Sequence, residues 1–257
     1  MRSPANPQPP PRSSPLVITI DGPGGSGKST VAKCLARQLR FAYLDTGATY
    51  RMLAYAATQQ HLHPVADADR IARLARRLPM TLLVDEKGLF RVRLAGVDVS
   101  REIRTEEVTE AAALIAQHPA VRQALVRRQR QLANTHGVVV EGRDTGSVVF
   151  PRASFKFFLT ASASTRARRR QRELAQMYGS QSPLAQVHEQ LRFRDGLDRR
   201  RRVGPLVKPA GAITIDTTHR VVGQVVRAML GHIRKHAASA KPHAAGHKRT
   251  LAKTARQ

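Results

Sequence analysis

Residues 22–30, GPGGSGKST, set Gly22, Gly27, Lys28 and Ser29 in the spacing G-x-x-x-x-G-K-[ST], with Gly24, Gly25 and Ser26 in the turn between them. The stretch follows the apolar run LVITID and opens the helical pattern SGKSTVAKCLARQLR, so it joins a strand to a helix. Glycine lets main-chain amides approach phosphate oxygens where a side chain would intrude, and the new helix adds its partly positive N-terminus. In that setting Lys28 is expected to reach the β- and γ-phosphates of a nucleoside triphosphate and Ser29 to bind Mg2+, while Thr30 steadies the helix start. The pattern leaves open what accepts the phosphoryl group.

Three further stretches offer groups for an acceptor. LDTGATYR supplies Thr46, Tyr50 and Arg51: a hydroxyl, an aromatic face and a guanidinium within six residues. EGRDTGS supplies Arg143, whose planar fork suits phosphate, and Asp144, which accepts from amino or hydroxyl groups. RFRDGLDRRRRVGPL, residues 192–206, carries six arginines with Asp195 and Asp198. Arginines on a closing segment neutralise a transferring phosphoryl group and exclude water together. Each cluster also has a plainer reading: a core tyrosine beside a surface arginine, a salt bridge, and a solvated basic helix. STRARRRQRE, residues 164–173, is a fourth arginine-rich stretch, on which Arg166 and Arg170 share one helical face and Arg168 and Arg172 another.

The elements that must position these groups follow from periodicity. LVITID, FAYLD, GVVVEG, SFKFFLTA and AITIDTT read as strands, separated by helical patterns, and this order favours an α/β fold with a mostly parallel sheet covered by helices. TGATYRMLAYAATQQ reads as one helix, a run from about Glu106 to Asn134 as another, and HRVVGQVVRAMLGHI as the closing helix. Between them, residues 67–103 change character: a short amphipathic helix with Ile71, Leu74 and Leu78, then two or three short strands turning near Lys87-Gly88 and Ala95-Gly96. That segment is expected to be a small antiparallel insert.

Residues 1–15 form a proline-rich head and residues 232–257 a basic tail with seven Lys or Arg and no acid; both are expected to stay flexible beyond a core at 16–231. His232, His236, His243 and His247 are read as part of that solvated tail, with a metal-binding tract as the alternative. The 44 Lys and Arg against 18 Asp and Glu give a net charge of +26, which attracts phosphate-bearing molecules without naming one. Cys34, the single cysteine, excludes an intrachain disulfide and fits a helix core position. No apolar run reaches the roughly 18 residues that cross a bilayer, and the head lacks the apolar block of a secretory signal, so a cytoplasmic protein is expected.

Taken in order, GPGGSGKST, LDTGATYR, VSREIRTEEV, VEGRDTGSVVFP, the arginine–aspartate segment before GPL, and IDTT make residues 16–230 resemble the bacterial cytidylate kinase family. The resemblance implies a P-loop kinase fold, with the insert at 67–103 binding a nucleoside monophosphate and a helical lid at about 164–185. It implies ATP with Mg2+ as donor and CMP or dCMP as acceptor. By position, Thr46, Tyr50, Arg51, Arg104, Arg143, Asp144, Arg194, Asp195, Asp198 and Arg201 belong to the CMP pocket. Lys28, Arg143, Arg194 and Arg201 take the catalytic charge, and Gly22 to Thr30 with Arg166 and Arg170 hold the donor.

Two departures stand out. Thr46 replaces a common serine, and its methyl is expected to alter the preference between CMP and dCMP; the RRRRV run blurs the register around Arg201. The competing readings are another nucleoside monophosphate or small-metabolite kinase, and an RNA-associated NTP-binding protein. A monomer with no required protein partner is expected, its tail binding polyanions weakly.

Overall fold

Leu16–Asp21 forms β1, the middle strand of a five-stranded sheet. The computed structural model describes residues 16–84, 90–133, 137–179 and 181–239; residues 1–15 and 240–257 lie outside them. After β1 come α1 (Lys28–Leu39), β2 (Ala42–Asp45) and α2 (Thr46–Gln59). The insert follows as α3 (Ala68–Arg77), β3 (Met80–Val84), β4 (Phe90–Leu94) and β5 (Val97–Asp98). Then come α4 (Glu106–Ile115), α5 (Pro119–Leu132), β6 (Gly137–Gly142) and β7 (Phe155–Thr160). The chain closes with α6 (Ala163–Tyr178), α7 (Leu184–Arg200), β8 (Ile213–Asp216) and α8 (Val222–Ser239).

The large sheet runs β2-β6-β1-β7-β8 with every pairing parallel, and the insert is a separate antiparallel sheet, β3-β4-β5. Flanking strands pair β1 with Gly137–Gly142 on one side and with Phe155 onward on the other. A strand so enclosed carries apolar side chains on both faces, and Ile18 and Ile20 are fully buried. On one face Ile18, Ile20, Phe157 and Leu159 pack with Val31 and Leu35 of α1 and with Val225 and Met229 of α8; half-buried Cys34 joins them. The insert shares a second core with its neighbours, in which Ile71 and Val92 meet Met52 and Leu53 of α2, Ile115 of α4 and Leu125 of α5. In the β4–β5 turn Ala95 and Gly96 both have positive φ, 49° and 83°, as a tight two-residue hairpin requires; Lys87-Gly88 falls outside the described residues.

Two boundaries differ from the sequence expectation. The helical run from Glu106 divides into α4 and α5, because Pro119 forces its predecessor out of helical geometry: His118 is extended at φ −81°, ψ 119°, and Pro119 begins the next helix. Asn134, its expected end, lies outside the described residues. The closing helix runs past Ile233, the last residue of its expected pattern, to Ser239, so the expected core boundary at 231 falls inside it; Ile233 continues the apolar stripe of Val222, Val225, Val226 and Met229 into the core. Among the described residues no helix is long and apolar enough to cross a membrane.

Candidate active site

The carboxyl ends of the parallel strands carry Asp21, Asp45 and Glu141, and the motif residues gather there. In the loop after β1, Gly25 has φ +72°, and a Cβ on it would come within 2.7 Å of the Arg166 carbonyl oxygen. Backbone packed this closely requires glycine. Lys28 is buried, its Nζ donating to the Pro23 carbonyl at 2.7 Å and lying 3.5 Å from Ser26 Oγ. Burial, followed by the nearby Arg143 charge, lowers the Lys28 pKa to about 7, against the opposing pull of Glu141, Asp195 and Asp21. Ser29 Oγ donates to Glu141 Oε1 at 2.6 Å, and Tyr43 Oη donates to the same oxygen at 3.2 Å. Burial raises the Glu141 pKa, and Asp45 adds to the rise. Thr30 is exposed beside the loop and makes no capping bond; the helix begins after Gly27 without a side-chain cap.

Two recesses meet at this loop. The first, about 190 Å3, brings together Thr46, Tyr50, Arg51, Arg104, Arg143, Asp144, Arg170, Arg194, Asp198 and Arg201 with Gly24, Gly25, Lys28 and Ser29. The second, about 620 Å3, is formed by Gly25 to Thr30 with Arg169, Arg170 and Arg172 of α6 and Arg220 and Val221 before α8. Gly25, Lys28, Ser29, Arg170 and Glu173 belong to both.

Most charges of the first recess are held by partners. Asp45 caps α2 by accepting from Ala48 N at 2.9 Å and fixes Arg51 Nη2 at 2.8 Å. Arg143 Nε donates to Asp198 Oδ2 at 2.8 Å, and Arg201 Nη2 lies 3.6 Å from the other carboxylate oxygen. Burial disfavours the Asp198 carboxylate, yet Arg143, Arg201 and Arg194 outweigh it and its pKa ends below the usual range. Asp144 pairs with Arg122 of α5, a fully buried guanidinium 5.6 Å from the centre of the Tyr50 ring. Burial lifts the Asp144 pKa despite Arg122.

Two cations differ. Arg104 and Arg194 line the recess with no hydrogen-bond or ion-pair acceptor among the described residues. Burial, then Arg143, lowers the Arg194 pKa to about 10. Arg104 stands at the end of the short 3-10 turn Glu102–Arg104 between insert and α4, and Arg194 on α7, so they approach from different segments.

Three expected ligand groups turn instead to the protein. Arg166 Nη1 donates to the Gly24 carbonyl at 2.9 Å and to Asp195 Oδ2 at 2.5 Å, while Gly24 N donates to Asp195 Oδ1 at 3.2 Å. This pair grips the loop backbone and lines neither recess. In the second recess it is Arg169 that faces Gly27, anchored by Nη1 to Thr217 Oγ1 at 2.9 Å and by Nη2 to the Thr217 carbonyl at 2.6 Å. The Thr46 hydroxyl donates to the Glu141 carbonyl at 2.8 Å. Thr46 therefore lines the recess with its hydroxyl already engaged.

Sequence reasoning missed several positioning groups. Asp21 accepts from Thr145 N at 2.7 Å, Thr145 Oγ1 at 2.8 Å and Gly146 N at 2.7 Å, fixing the π-helical turn Thr145–Val149 behind Arg143 and Asp144. Burial raises its pKa against those donors. Glu141 was visible as a carboxylate ending an apolar strand, and Arg122 as a charge on the α5 face shared with Leu125 and Gln129. Asp45 was legible as an N-cap aspartate standing directly before the α2 pattern, whereas Arg169 gave no signal beyond its residue type.

A glycine loop between a central parallel strand and a helix, with lysine and serine at its end and an arginine-lined recess beside it, defines a P-loop kinase. The family model for cytidylate kinase matches residues 18–235. A cytidylate kinase of Desulforamulus reducens is 44% identical over 218 residues, covering 85% of this chain and 96% of its own. Those of Desulfitobacterium hafniense and Escherichia coli O1:K1 are 45% and 44% identical over 84% and 85% of this chain and 91% and 95% of theirs. Among solved structures, a shikimate kinase from Acinetobacter baumannii is a distant likeness, with TM-score 0.42, 13% identity, and coverage of 87% of this chain and 95% of its own. The chain belongs to the cytidylate kinase family.

Proposed function

We infer that the protein transfers the γ-phosphoryl group of ATP to CMP or dCMP, yielding ADP and CDP or dCDP. The observation that carries this reading is the meeting of two recesses at Lys28 and Ser29, with Arg104 and Arg194, which have no acceptor among the described residues, on one side only. ATP occupies the larger recess, its phosphates wrapped by Gly22 to Thr30, and the monophosphate occupies the smaller one.

An anionic phosphate oxygen of the acceptor attacks the γ-phosphorus in line, and the bond to the ADP oxygen breaks. That oxygen is ionised near neutral pH, so no general base is needed; positioning and charge do the work. Arg104, Arg143, Arg194 and Arg201 orient the acceptor phosphate and offset charge on the transferring group, while Lys28 and Arg170 reach it from the shared edge. Asp144, held by Arg122, and the Tyr50 ring form the base end of the pocket. Asp198 keeps Arg143 and Arg201 aimed. The Ser29 hydroxyl beside the Glu141 carboxylate is a hard-oxygen pair that would hold Mg2+, and the ion would supply charge neutralisation for the phosphates of the donor.

The insert at 67–103 is assigned to the acceptor side, and residues 164–185, which take in most of α6, the loop after it and the first residues of α7, to the lid, whose closure excludes water. We place the enzyme in the cytoplasm as a monomer, with the basic residues beyond the core binding polyanions weakly and in a salt-dependent way.

ADP release from ATP and Mg2+ in the presence of CMP, dCMP, UMP, AMP, GMP or shikimate tests the assignment. CMP and dCMP are expected to give the highest kcat/KM. A preference for any other acceptor, or ATP hydrolysis stimulated by RNA alone, would replace it.

A further inference from the structure

Away from both recesses, α8 brings two imidazoles together. His232 and His236 stand four residues apart, one helical turn, with ring centres 4.5 Å apart and planes inclined by 49°. Each also meets an aromatic ring of β7: His232 lies 6.2 Å from Phe157 at 79°, and His236 lies 6.4 Å from Phe155 at 69°. Phe157 is fully buried, and Ile233, next to His232, packs into the core. The turn carrying both rings is therefore anchored to the sheet, and its side chains have fewer rotamers to lose on binding a ligand.

Histidines at this spacing on one helical face form the two-imidazole half of a known type of zinc site. With a metal–nitrogen bond of about 2.0–2.1 Å and roughly 1.1 Å from nitrogen to ring centre, two imidazoles on one ion have centres about 4.5–5.2 Å apart for bond angles of about 90–109°. The observed 4.5 Å lies at the right-angle end of that span.

We propose that His232 and His236 form a bidentate site for a divalent transition-metal ion such as Ni2+, Cu2+ or Zn2+, with water completing the coordination. Imidazole suits these ions, whereas Mg2+ prefers oxygen, so the site does not compete for the metal that accompanies ATP. No group of three or more His, Cys, Asp or Glu gathers among the described residues, which leaves α8 as the source of two ligands there. The pair packs near Phe155, the first residue of β7, while the phosphate loop follows the last residue of β1. The two sites lie at opposite ends of a parallel sheet.

The test is calorimetric titration of the full chain with NiCl2 at pH 7.5, where an ordinary imidazole is neutral. His232→Ala, His236→Ala, the double variant His243→Ala/His247→Ala, and His219→Ala are titrated alongside. The wild-type chain is expected to bind Ni2+ with a Kd on the order of micromolar, and each α8 variant to lose at least about tenfold in affinity at that site. His219→Ala leaves the titration unchanged, and the double variant retains one ion per chain. Unchanged CMP-dependent turnover in every variant shows that it is folded and that the site is separate from catalysis. Wild-type binding weaker than about 1 mM, wild-type affinity in both α8 variants, loss confined to the His243/His247 variant, or displacement of Ni2+ by excess MgCl2 would each overturn the proposal.

Discussion

The two recesses are built by different strategies. The proposed donor side takes its longest unbroken piece of wall from one stretch, Gly25 to Val31, and completes it with α6 and with residues between Thr217 and Val225. The acceptor side draws on α2, the short turn ending at Arg104, the end of β6, α6 and α7, and fixes its charges in pairs such as Arg51–Asp45 and Arg143–Asp198. Main-chain amides grip any polyphosphate, so a short motif suffices for the donor. Selecting one monophosphate needs side chains aimed from several directions, each held by a partner that no local pattern reveals.

The largest effect should come where the recesses overlap. Lys28→Ala is expected to lower kcat by about 10³-fold while circular dichroism shows an intact fold; turnover within tenfold of wild type would remove Lys28 from the transfer step. Next, Arg194→Met should separate the two sides. It leaves no paired carboxylate behind, and kcat/KM for CMP should fall by about 10²-fold with the Kd for ATP changed less than about threefold. Equal losses for both nucleotides would show that the recesses do not divide the labour as described.

Arg169→Met is the converse. Freed from Thr217, the donor wall loosens, and the KM for ATP should rise about five- to tenfold at nearly constant KM for CMP. A smaller, thermodynamic effect follows from the Lys28 pKa of about 7. Phosphate oxygens raise that pKa, so at pH 8, where the free lysine is mostly neutral, ATP binding should take up a proton; at pH 6 the lysine is already charged and contributes none. Calorimetry in buffers of different ionisation enthalpy should show this uptake in the wild type and its loss in Lys28→Ala. The smallest change is expected for Thr46→Ser, which keeps the hydroxyl bonded to the Glu141 carbonyl. The ratio of CMP to dCMP turnover should move by less than about threefold, and a larger shift would mean that the methyl touches the ribose.

The central sheet and the phosphate loop were legible because their signals are local: an apolar strand, a glycine turn and a helical period occupy adjacent residues. The family resemblance carried Arg104, Arg194 and Arg201 to the recess, which spacing alone could not do. Asp195 and Arg166 were harder, because residue type cannot tell a guanidinium that meets a ligand from one that clamps the Gly24 backbone. The roles of Asp21 and Arg122 became legible only with their partners Thr145 and Asp144, 124 and 22 residues away, although the position of Arg122 on an apolar helix face was itself a sequence signal. The break at His118 was written in Pro119, and the apolar stripe of α8 was legible as far as Ile233, whereas its continuation to Ser239 runs through residues with no such stripe.

Asp21 also decides which parts of the enzyme can move. It closes β1 one residue before the phosphate loop and takes three donors from the turn after β6, so sliding one strand end past the other would break all three bonds in a dry interior. The loop that grips ATP and the turn that carries Arg143 thus travel as one rigid floor. α6 and α7 are tied to the same floor at Gly24 through Arg166 and Asp195, so under the proposed assignment an opening on that side has to break those bonds, whereas the insert carries no such tie to Gly24.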